Sequence, residues 1–347
     1  MRIVFITQRV DPAHPALAAT GPKVAALAAL SSEVVVLALG AEQSALPANA
    51  RARLFAGPNK ASRGIRFETA LAIELARKPR PAAVVAHMCP IYAVLAAPLA
   101  RAFGVPVLLW HAHWYGGPML RAAERVSSAV LTVDRRTFPI PSKKVRSIGH
   151  GIDVSEFPRR ERESHGGVRA LALGRYSPAK GYDTILRGLR LALDAGLDVS
   201  LEMHGPVLSR LEAEHRARVK EAVLELGLEE RVLVNGSVPR SAVPALFSEY
   251  DLLVNNMRKG SPDKVVFEAA ASCLPVLASN PAFDGFLDDQ YRFPRSDAGA
   301  LAERFAEFMA LDETGRTEVG RELRRRVVEG HSVEHWAEQV LAVAGKR

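Results

Sequence analysis

The segment ALALGRYSPAKGYDTILRGL, residues 170–189, places charged side chains where a buried strand gives way to a helix. Its apolar run ends at Gly174 and Arg175, and Lys180 precedes the helical pattern. A guanidinium fork, an ammonium and the unpaired amides at a helix start together suit a diphosphate. The carboxyl end of a parallel strand is also where open α/β sheets bind ligands. The segment therefore predicts a phosphate site, and the alternative interpretation is an ordinary solvated turn.

A second segment, KGSPDKVVFEAAASCLPVLASNPAF at residues 259–283, carries two charges on one predicted helix, Pro262–Ala271. Ser261 has the residue type and position of its N-cap, with proline as the first helical residue. Lys264 and Glu268 are four residues apart, a spacing that by itself predicts only a surface ion pair. Because apolar residues flank them on most sides, we expect these charges to avoid bulk water. The carboxylate of Glu268 would then suit two vicinal hydroxyls, as on a ribose.

Two histidines, His111 and His113, follow the apolar run VPVLLW. A lone histidine at such a place is more often structural. Beside Trp110 and Trp114, however, they form a group whose imidazoles and indoles suit the hydroxyls and faces of a sugar ring.

Short continuous apolar runs alternate with helical patterns along the chain, which is typical of parallel strands covered on both faces. The predicted strands are Arg2–Thr7, Glu33–Leu39, Arg51–Ala56, Ala82–Ala86, Val105–Trp110, Ala129–Val133, Val168–Leu173, Val199–Met203, Val232–Val234, Asp251–Val254 and Pro275–Ala278. The other predicted helices are Ala61–Arg77, Ile91–Phe103, Asp183–Ala195, Leu208–Leu226, Ala298–Leu311, Glu313–Glu329 and Ser332–Ala344. Two successive βαβ sheets fit this order better than one large sheet. The charged stretch 158–167 is the predicted joint.

The length of 347 residues favours two domains, and their charge is uneven. Residues 1–150 hold 19 Lys and Arg against 7 Asp and Glu, whereas the remainder holds 27 against 31. Two explanations account equally well for the basic first half. One is a basic solvated surface, and the other is an anionic partner, such as a phospholipid surface or a phosphorylated acceptor. No zinc-finger, RNP or helix-turn-helix pattern accompanies the charge, so we expect no nucleic-acid partner.

Other features of the sequence narrow the class of protein. No apolar run reaches the ~18–20 residues of a membrane span, and no signal-peptide pattern opens the chain. Cys89 and Cys273 lie far apart in apolar segments, so we expect buried free thiols and a cytoplasmic protein. No His, Cys and Asp cluster has metal-ligand spacing.

Together these segments resemble family 4 retaining glycosyltransferases of the GT-B fold, through their G-R-x4-K-G loop and E-x7-E motif. IGHGIDVSEF at 148–157 resembles the family's N-G-[IV]-D-x3-F signature, and SPDKVVFEA resembles a branch with Asp-Lys inside the motif. The resemblance implies an α/β protein with two doubly wound, Rossmann-like parallel-sheet domains facing a central cleft. It would comprise an acceptor-side domain (1–157), a linker (158–167), a nucleotide-sugar domain (168–330) and a helix (331–347) that crosses back to the first domain.

The activity implied by the resemblance is transfer of a hexose from a UDP- or GDP-sugar, with retention. It would need neither a metal nor a cofactor. The acceptor would be a glycan or a lipid-linked sugar, with possible peripheral contact to an anionic membrane. By resemblance, Arg175 and Lys180 would hold the donor diphosphate. A histidine at this strand end would touch the donor sugar, and of the two candidates we prefer His113 to His111. The residues implied in donor binding are Gly174, Arg175, Lys180, Val238, Ser261, Lys264 and Glu268.

The sequence departs from the family at the first glutamate of the E-x7-E motif, where Gly260 stands. Asp263 lies three residues on, where a helix dipole favours an acidic side chain, and is our expected substitute. The alternative is that Asp263 only caps the helix. Two rival functions also stay open: a catalytically inactive relative that acts as a binding subunit, and a nucleotide-sugar epimerase or phosphorylase on the same fold.

Overall fold

The computed structural model describes residues 1–12, 17–159 and 166–345. The chain divides into two compact units, Met1–Asp153 with Gly330–Arg347, and Val154–Glu329. Each unit contains its own parallel β-sheet flanked by helices, so the predicted α/β class is confirmed. Residues 160–165 of the predicted joint lie outside the described residues, and the predicted domain bounds stay a prediction.

The strands follow the predicted apolar runs. They are β1 (Arg2–Val10), β2 (Glu33–Ala41), β3 (Ala50–Leu54), β4 (Ala83–His87), β5 (Val107–Trp110), β6 (Ala129–Thr132), β7 (Val145–Ser147), β8 (Val168–Leu173), β9 (Val199–His204), β10 (Val232–Val234), β11 (Leu252–Asn255) and β12 (Val276–Ala278). The first unit has the order β3-β2-β1-β4-β5-β6-β7 and the second the order β10-β9-β8-β11-β12. Every pairing between these strands is parallel.

The helices lie between strands, except for the last three, which follow β12. They are α1 (Thr20–Ala29), α2 (Lys60–Ala76), α3 (Pro90–Ala102), α4 (Pro118–Val126), α5 (Tyr182–Asp194), α6 (Arg210–Glu225), α7 (Val243–Phe247), α8 (Lys264–Ala271), α9 (Ala298–Met309), α10 (Glu313–Gly330) and α11 (Val333–Ala344). The sequence interpretation missed α1, α4, α7 and the three-residue strand β7. The helix α7 and the strand β7 are too short for a hydrophobic period that would separate them from loops. Shortness does not explain the other two, since α1 and α4 are longer than α8, which was predicted.

Two strands begin later in the sequence than predicted, and in both cases a proline is the reason. β5 begins at Val107 rather than Val105, and β12 begins at Val276 rather than Pro275. Proline has no N–H to give to the ladder, so each strand starts directly after its proline, Pro106 in the first case.

Continuous apolar strands form the cores, as parallel sheets covered on both faces require. Residues 3–6 of β1 and 34–38 of β2 are completely buried. Both cysteines are buried and neither forms a disulfide, as predicted. Burial raises the pKa of the Cys89 thiol to about 12, which keeps it protonated and unreactive.

The strand order of the second unit places a switch point beside β8. The chain leaves β8 for β9 and β10, then returns to the other side of β8 as β11 and β12. The loops after β8 and β11 therefore diverge at the carboxyl edge of the sheet, the position where doubly wound folds bind ligands. The predicted phosphate loop follows β8, and the segment that leads into α8 follows β11.

Candidate active site

The loop after β8 turns sharply at two glycines. Gly174 has a φ of +144° and Gly181 a φ of +56°, values that side-chain-bearing residues rarely adopt. A Cβ at Gly174 would lie 2.4 Å from Nζ of Lys180, so only glycine lets that side chain fold back here. Gly181 occupies the N-cap of α5. The predicted strand–loop–helix arrangement is present.

Lys180 is fixed over the carboxyl end of β8 by two acceptors. Its Nζ lies 3.3 Å from the carbonyl oxygen of Leu173 and 2.5 Å from Oδ2 of Asp263. Only 12% of the Lys180 side chain is exposed. An ammonium has three N–H donors, and these two contacts use two of them. The loop thus holds a positioned cation at the strand end.

Asp263 occupies the N-cap position of α8 without a side-chain capping hydrogen bond. Its Oδ2 accepts from Lys180 and, at 2.9 Å, from Nδ2 of Asn255 at the end of β11. Burial alone would raise the pKa of Asp263, but the charge and hydrogen bonds of Lys180 and Asn255 hold that pKa below its usual value. Asp263 is therefore an ionised group that ties the β11 side of the switch point to the β8 side.

Arg175 contacts a different element. Its Nη1 lies 3.0 Å from Oε1 of Glu212, whose side chain is 8% exposed, while 59% of the Arg175 side chain is exposed. Glu212 also accepts from the backbone N of Leu208 at 2.7 Å, and Ser209 accepts from the backbone N of Glu212 at 3.2 Å. Ser209 thus caps α6, and Glu212 reaches back to the residue before the cap rather than to the cap itself. The Arg175 ion pair thus joins the phosphate loop to α6.

Glu268, on α8, is 4% exposed and contacts two cations. Nζ of Lys264 lies 2.7 Å from its Oε1, the ion pair that the four-residue spacing predicts, and Nη1 of Arg240 donates to the same oxygen. Nη2 of Arg240 lies 2.9 Å from Oε2 of Glu156. Burial would lower the pKa of Arg240, but the two carboxylates raise it above its usual value. The expectation that these charges avoid bulk water is met for Glu268.

The start of α8 differs from the prediction. The helix begins at Lys264 rather than Pro262, so Ser261 is not its N-cap. Instead, Nδ2 of Asn280 donates to the carbonyls of Gly260 and Ser261 at 3.4 and 3.3 Å and holds this segment outside the helix. Gly260 has a φ of +146°, a backbone conformation that a glutamate disfavours. The carboxylate nearest to this position in the motif is that of Asp263.

Comparison with known proteins decides the family. The sequence pattern of the glycosyl transferases group 1 family matches residues 153–329, just over half of the chain. The chain belongs to this family. The match contains β8 to β12, the phosphate loop and α8.

A curated relative is similar to part of this group 1 glycosyltransferase. Mannosylfructose-phosphate synthase of Agrobacterium fabrum is 28% identical over 172 residues, which are 46% of this chain and 37% of that protein. The chain thus matches little more than a third of that relative's length.

Solved structures with the same fold cover nearly the whole chain. They include HepE of Anabaena in complex with UDP (TM-score 0.78, 15% identity, 100% of both chains). A glycosyltransferase of Rickettsia africae has a TM-score of 0.77 at 14% identity, over 99% of this chain and 97% of that one. Sucrose-phosphate synthase of Thermosynechococcus elongatus has a TM-score of 0.74 at 18% identity, over 99% and 98%. At these identities the likeness shows the fold, and the predicted GT-B class is confirmed.

In the first unit of the glycosyltransferase, the predicted histidines directly follow β5. His111 is buried and His113 is exposed, with its Nδ1 accepting from the backbone N of Tyr115 at 3.2 Å. Burial, aided by the nearby His113, lowers the pKa of His111 to about 4, so His111 is neutral at pH 7. Trp114 and Tyr115 expose 44% and 59% of their surface. Of the two histidines, His113 has the accessible ring, and the sugar-contacting role of either stays a prediction.

Three further residues of the glycosyltransferase escaped sequence reasoning: Arg240, Glu212 and Asn280. Glu212 stands three residues after Ser209, a capping-box spacing that could have been noticed. Arg240 and Asn280 have no comparable local signal, since their partners are distant in sequence. Val238, predicted near a nucleotide base, lies half-buried in the turn that leads to Arg240.

Within residues 1–12, 17–159 and 166–345 of the glycosyltransferase, no group of three or more His, Cys, Asp or Glu side chains could hold a metal ion. Metal independence stays a prediction. No helix in this part of the chain is long and apolar enough to cross a bilayer.

Proposed function

We propose that this chain transfers a hexose from a UDP- or GDP-sugar to a glycan or lipid-linked acceptor. The observation that carries the proposal is the ion pair between Lys180 and Asp263 at the switch point, five residues before the buried Glu268. A positioned cation, a carboxylate and a second, buried carboxylate match the three parts of such a donor: diphosphate, sugar and ribose. Membership of the group 1 family supports the same class of reaction.

In the proposed reaction, the bond from the anomeric carbon to the diphosphate breaks as the acceptor oxygen bonds to that carbon. Negative charge then grows on the departing diphosphate. Lys180, Arg175 and the N-terminal amides of α5 would stabilise this charge, which is the term that most often dominates enzymatic rate enhancement. Retention and independence of metal are proposed from the resemblance to family 4, and the Asp-Lys variant of its motif is proposed as the branch.

The remaining donor contacts follow from the positions of the side chains. Glu268 would accept from the ribose hydroxyls, with Lys264 beside it, and backbone near Val238 would border the base. Asp263 would accept from a hydroxyl of the donor sugar in place of the glutamate absent at Gly260. We also propose His113, with His111 as the second choice, as a contact of the sugar.

UDP is the first nucleotide to test, because HepE, a protein of the same fold, was solved with UDP. For the acceptor, the 19 basic against 7 acidic residues in 1–150 favour an anionic molecule or lipid-linked sugar at a membrane surface. The second candidate function is an inactive binding subunit, which is favoured by the missing glutamate at Gly260.

The test compares Lys180→Ala with Lys220→Ala, an exposed lysine on α6. The parent protein should gain thermal stability with UDP or GDP, by ~2.7 kcal/mol at a hundredfold excess over Kd. Lys180→Ala should lose most of that gain and ~10²–10³ of the turnover, whereas Lys220→Ala should behave like the parent. A parent that binds nucleotide without turning over any sugar donor would favour the binding subunit. Equal behaviour of both variants would refute the site.

A further inference from the structure

Arg240 lies in the turn between β10 and α7 and links segments that are far apart in the sequence. Its Nη1 donates to Glu268, 28 residues away, and its Nη2 to Glu156, 84 residues away. The guanidinium also lies 5.1 Å from the centre of the Phe157 ring, which is completely buried. Two carboxylates at the edge of the guanidinium and a ring against its face fix its orientation. A lysine ammonium has no planar face and could not make these contacts together.

These contacts immobilise the carboxylate of Glu268. A carboxylate with a side chain only 5% exposed must be compensated by charge, and here two cations reach the same oxygen. Lys264 approaches Oε1 from within α8, and Arg240 approaches it from a separate loop. Oε2 takes neither of these two contacts. The carboxylate is therefore held from two directions.

We propose that Arg240 is a positioning residue that aims Glu268 at a ribose with both hydroxyls, so that the site selects ribonucleotides over deoxyribonucleotides. The inference rests on the proposed nucleotide-sugar site. It also gives a role to the segment IGHGIDVSEF, which the donor contacts leave without one. The last two residues of that segment, Glu156 and Phe157, are the two groups that hold Arg240 in place.

The experiment measures Kd by calorimetry for UDP and 2′-deoxy-UDP, or for GDP and 2′-deoxy-GDP if the protein binds guanine nucleotides. Hydrogen bonds to a charged group predict that the parent prefers the ribonucleotide by roughly ten- to a hundredfold. In Arg240→Ala we expect this ratio to fall to within about threefold of one, chiefly through weaker ribonucleotide binding. Arg240→Lys can reach one carboxylate but not both, and should give an intermediate ratio.

Arg292→Ala is the matched control. Arg292 lies in the same unit, is 29% exposed against 27% for Arg240, and pairs with two carboxylates, those of Asp284 and Asp289. It should keep the parent ratio. Glu156→Ala provides a second route, because Glu156 is 40% exposed and its loss leaves the core intact. That variant should lower the ratio in the same direction as Arg240→Ala, by a smaller factor.

A parent ratio that persists in Arg240→Ala and Glu156→Ala would overturn the inference and leave the proposed function standing. So would equal weakening of both nucleotides, since a residue that merely braces the fold changes the two affinities alike. A parent that binds both nucleotides equally would remove the ribose role of Glu268, and the inference with it. Failure of the parent to bind any nucleoside diphosphate would refute the proposed function itself.

Discussion

Individual charges at the switch point are each balanced by a specific partner. Lys180 has Asp263, Arg175 has Glu212, and Glu268 has both Lys264 and Arg240. Such pairing allows charged groups to stay ionised while partly buried. It also means that an anionic ligand must share these cations with the carboxylates that already contact them, or displace those carboxylates.

Asp263→Asn separates two roles for this carboxylate. If Asp263 contacts the donor sugar, the variant should lose ~10² or more of its turnover. Free nucleoside diphosphate should bind as well as before. The variant keeps the cation of Lys180 and removes only a negative charge that lies 2.5 Å from its Nζ. The measurements are turnover and calorimetric affinity on the same preparation.

Asp297→Asn is the control, because Asp297 caps α9 through a hydrogen bond from the backbone N of Ala300 at 2.9 Å. Asparagine caps helices well, so this variant should cost little. Turnover of Asp263→Asn equal to that of the control would move the sugar contact to His113 or His111. The lowered pKa of Asp263 sets the pH range: its ion pair is intact above the normal carboxyl range and is lost only when pH falls through the lowered value.

Among the elements, the loops after β8 and β9 meet at a close backbone approach. The backbone N of Gly174 donates to the carbonyl of His204, and that of Gly205 donates to the carbonyl of Gly236. A Cβ at Gly205 would lie 1.9 Å from the carbonyl oxygen of Gly174. The phosphate loop can therefore adopt this conformation only because residue 205 is a glycine.

Gly205→Ala should displace the phosphate loop and weaken nucleoside diphosphate binding by roughly tenfold or more, since a misplaced cation loses its charge-assisted contacts. Gly166→Ala is the control: it lies in the same unit, and a Cβ there would meet nothing within 4 Å. Thermal melting and calorimetric affinity check both variants. Parent-like nucleotide affinity in Gly205→Ala would show that the loop tolerates the added methyl group.

The elements were largely predictable because each depends on its own residues. Apolar runs such as Val168–Leu173 mark buried parallel strands, and the structure places β8 at those same residues. The contacts of Glu268 were predictable only in part. Lys264 is one turn away on the same helix. Arg240 contacts Glu268 only because its loop passes close to that helix, which the local sequence does not indicate. The prediction for Ser261 failed for a similar reason: this residue lies before the helix, where its carbonyl accepts from Asn280, 19 residues later.

At the scale of the whole molecule, charge is distributed unevenly along the chain. The excess of 19 basic over 7 acidic residues in 1–150 contrasts with 27 against 31 in the rest. Several apolar side chains of the first unit are also exposed, among them Leu54 at 55% and Ile65 at 69%. Basic charge with exposed apolar groups favours adsorption to an anionic bilayer.

We expect the protein to co-sediment with vesicles that contain anionic lipid and to be released as salt rises. Each basic residue near such a surface contributes about 1 kcal/mol, and this attraction is screened over ~8 Å at 0.15 M salt. Vesicles of neutral lipid are the control. Equal binding to both vesicle types, or binding that is insensitive to salt, would contradict the expectation.

The first unit is built from two separated stretches of chain, and this has a consequence for synthesis. Trp336 of α11 is completely buried, with its ring centre 6.4 Å from that of Phe5 and 6.2 Å from that of Trp110. Phe5 and Trp110 are therefore made well before the tryptophan that packs against them. At roughly 5–20 residues per second, translation of 154–329 takes on the order of ten to thirty-five seconds. The core of the first unit can therefore be completed only after the whole of the second unit has been translated.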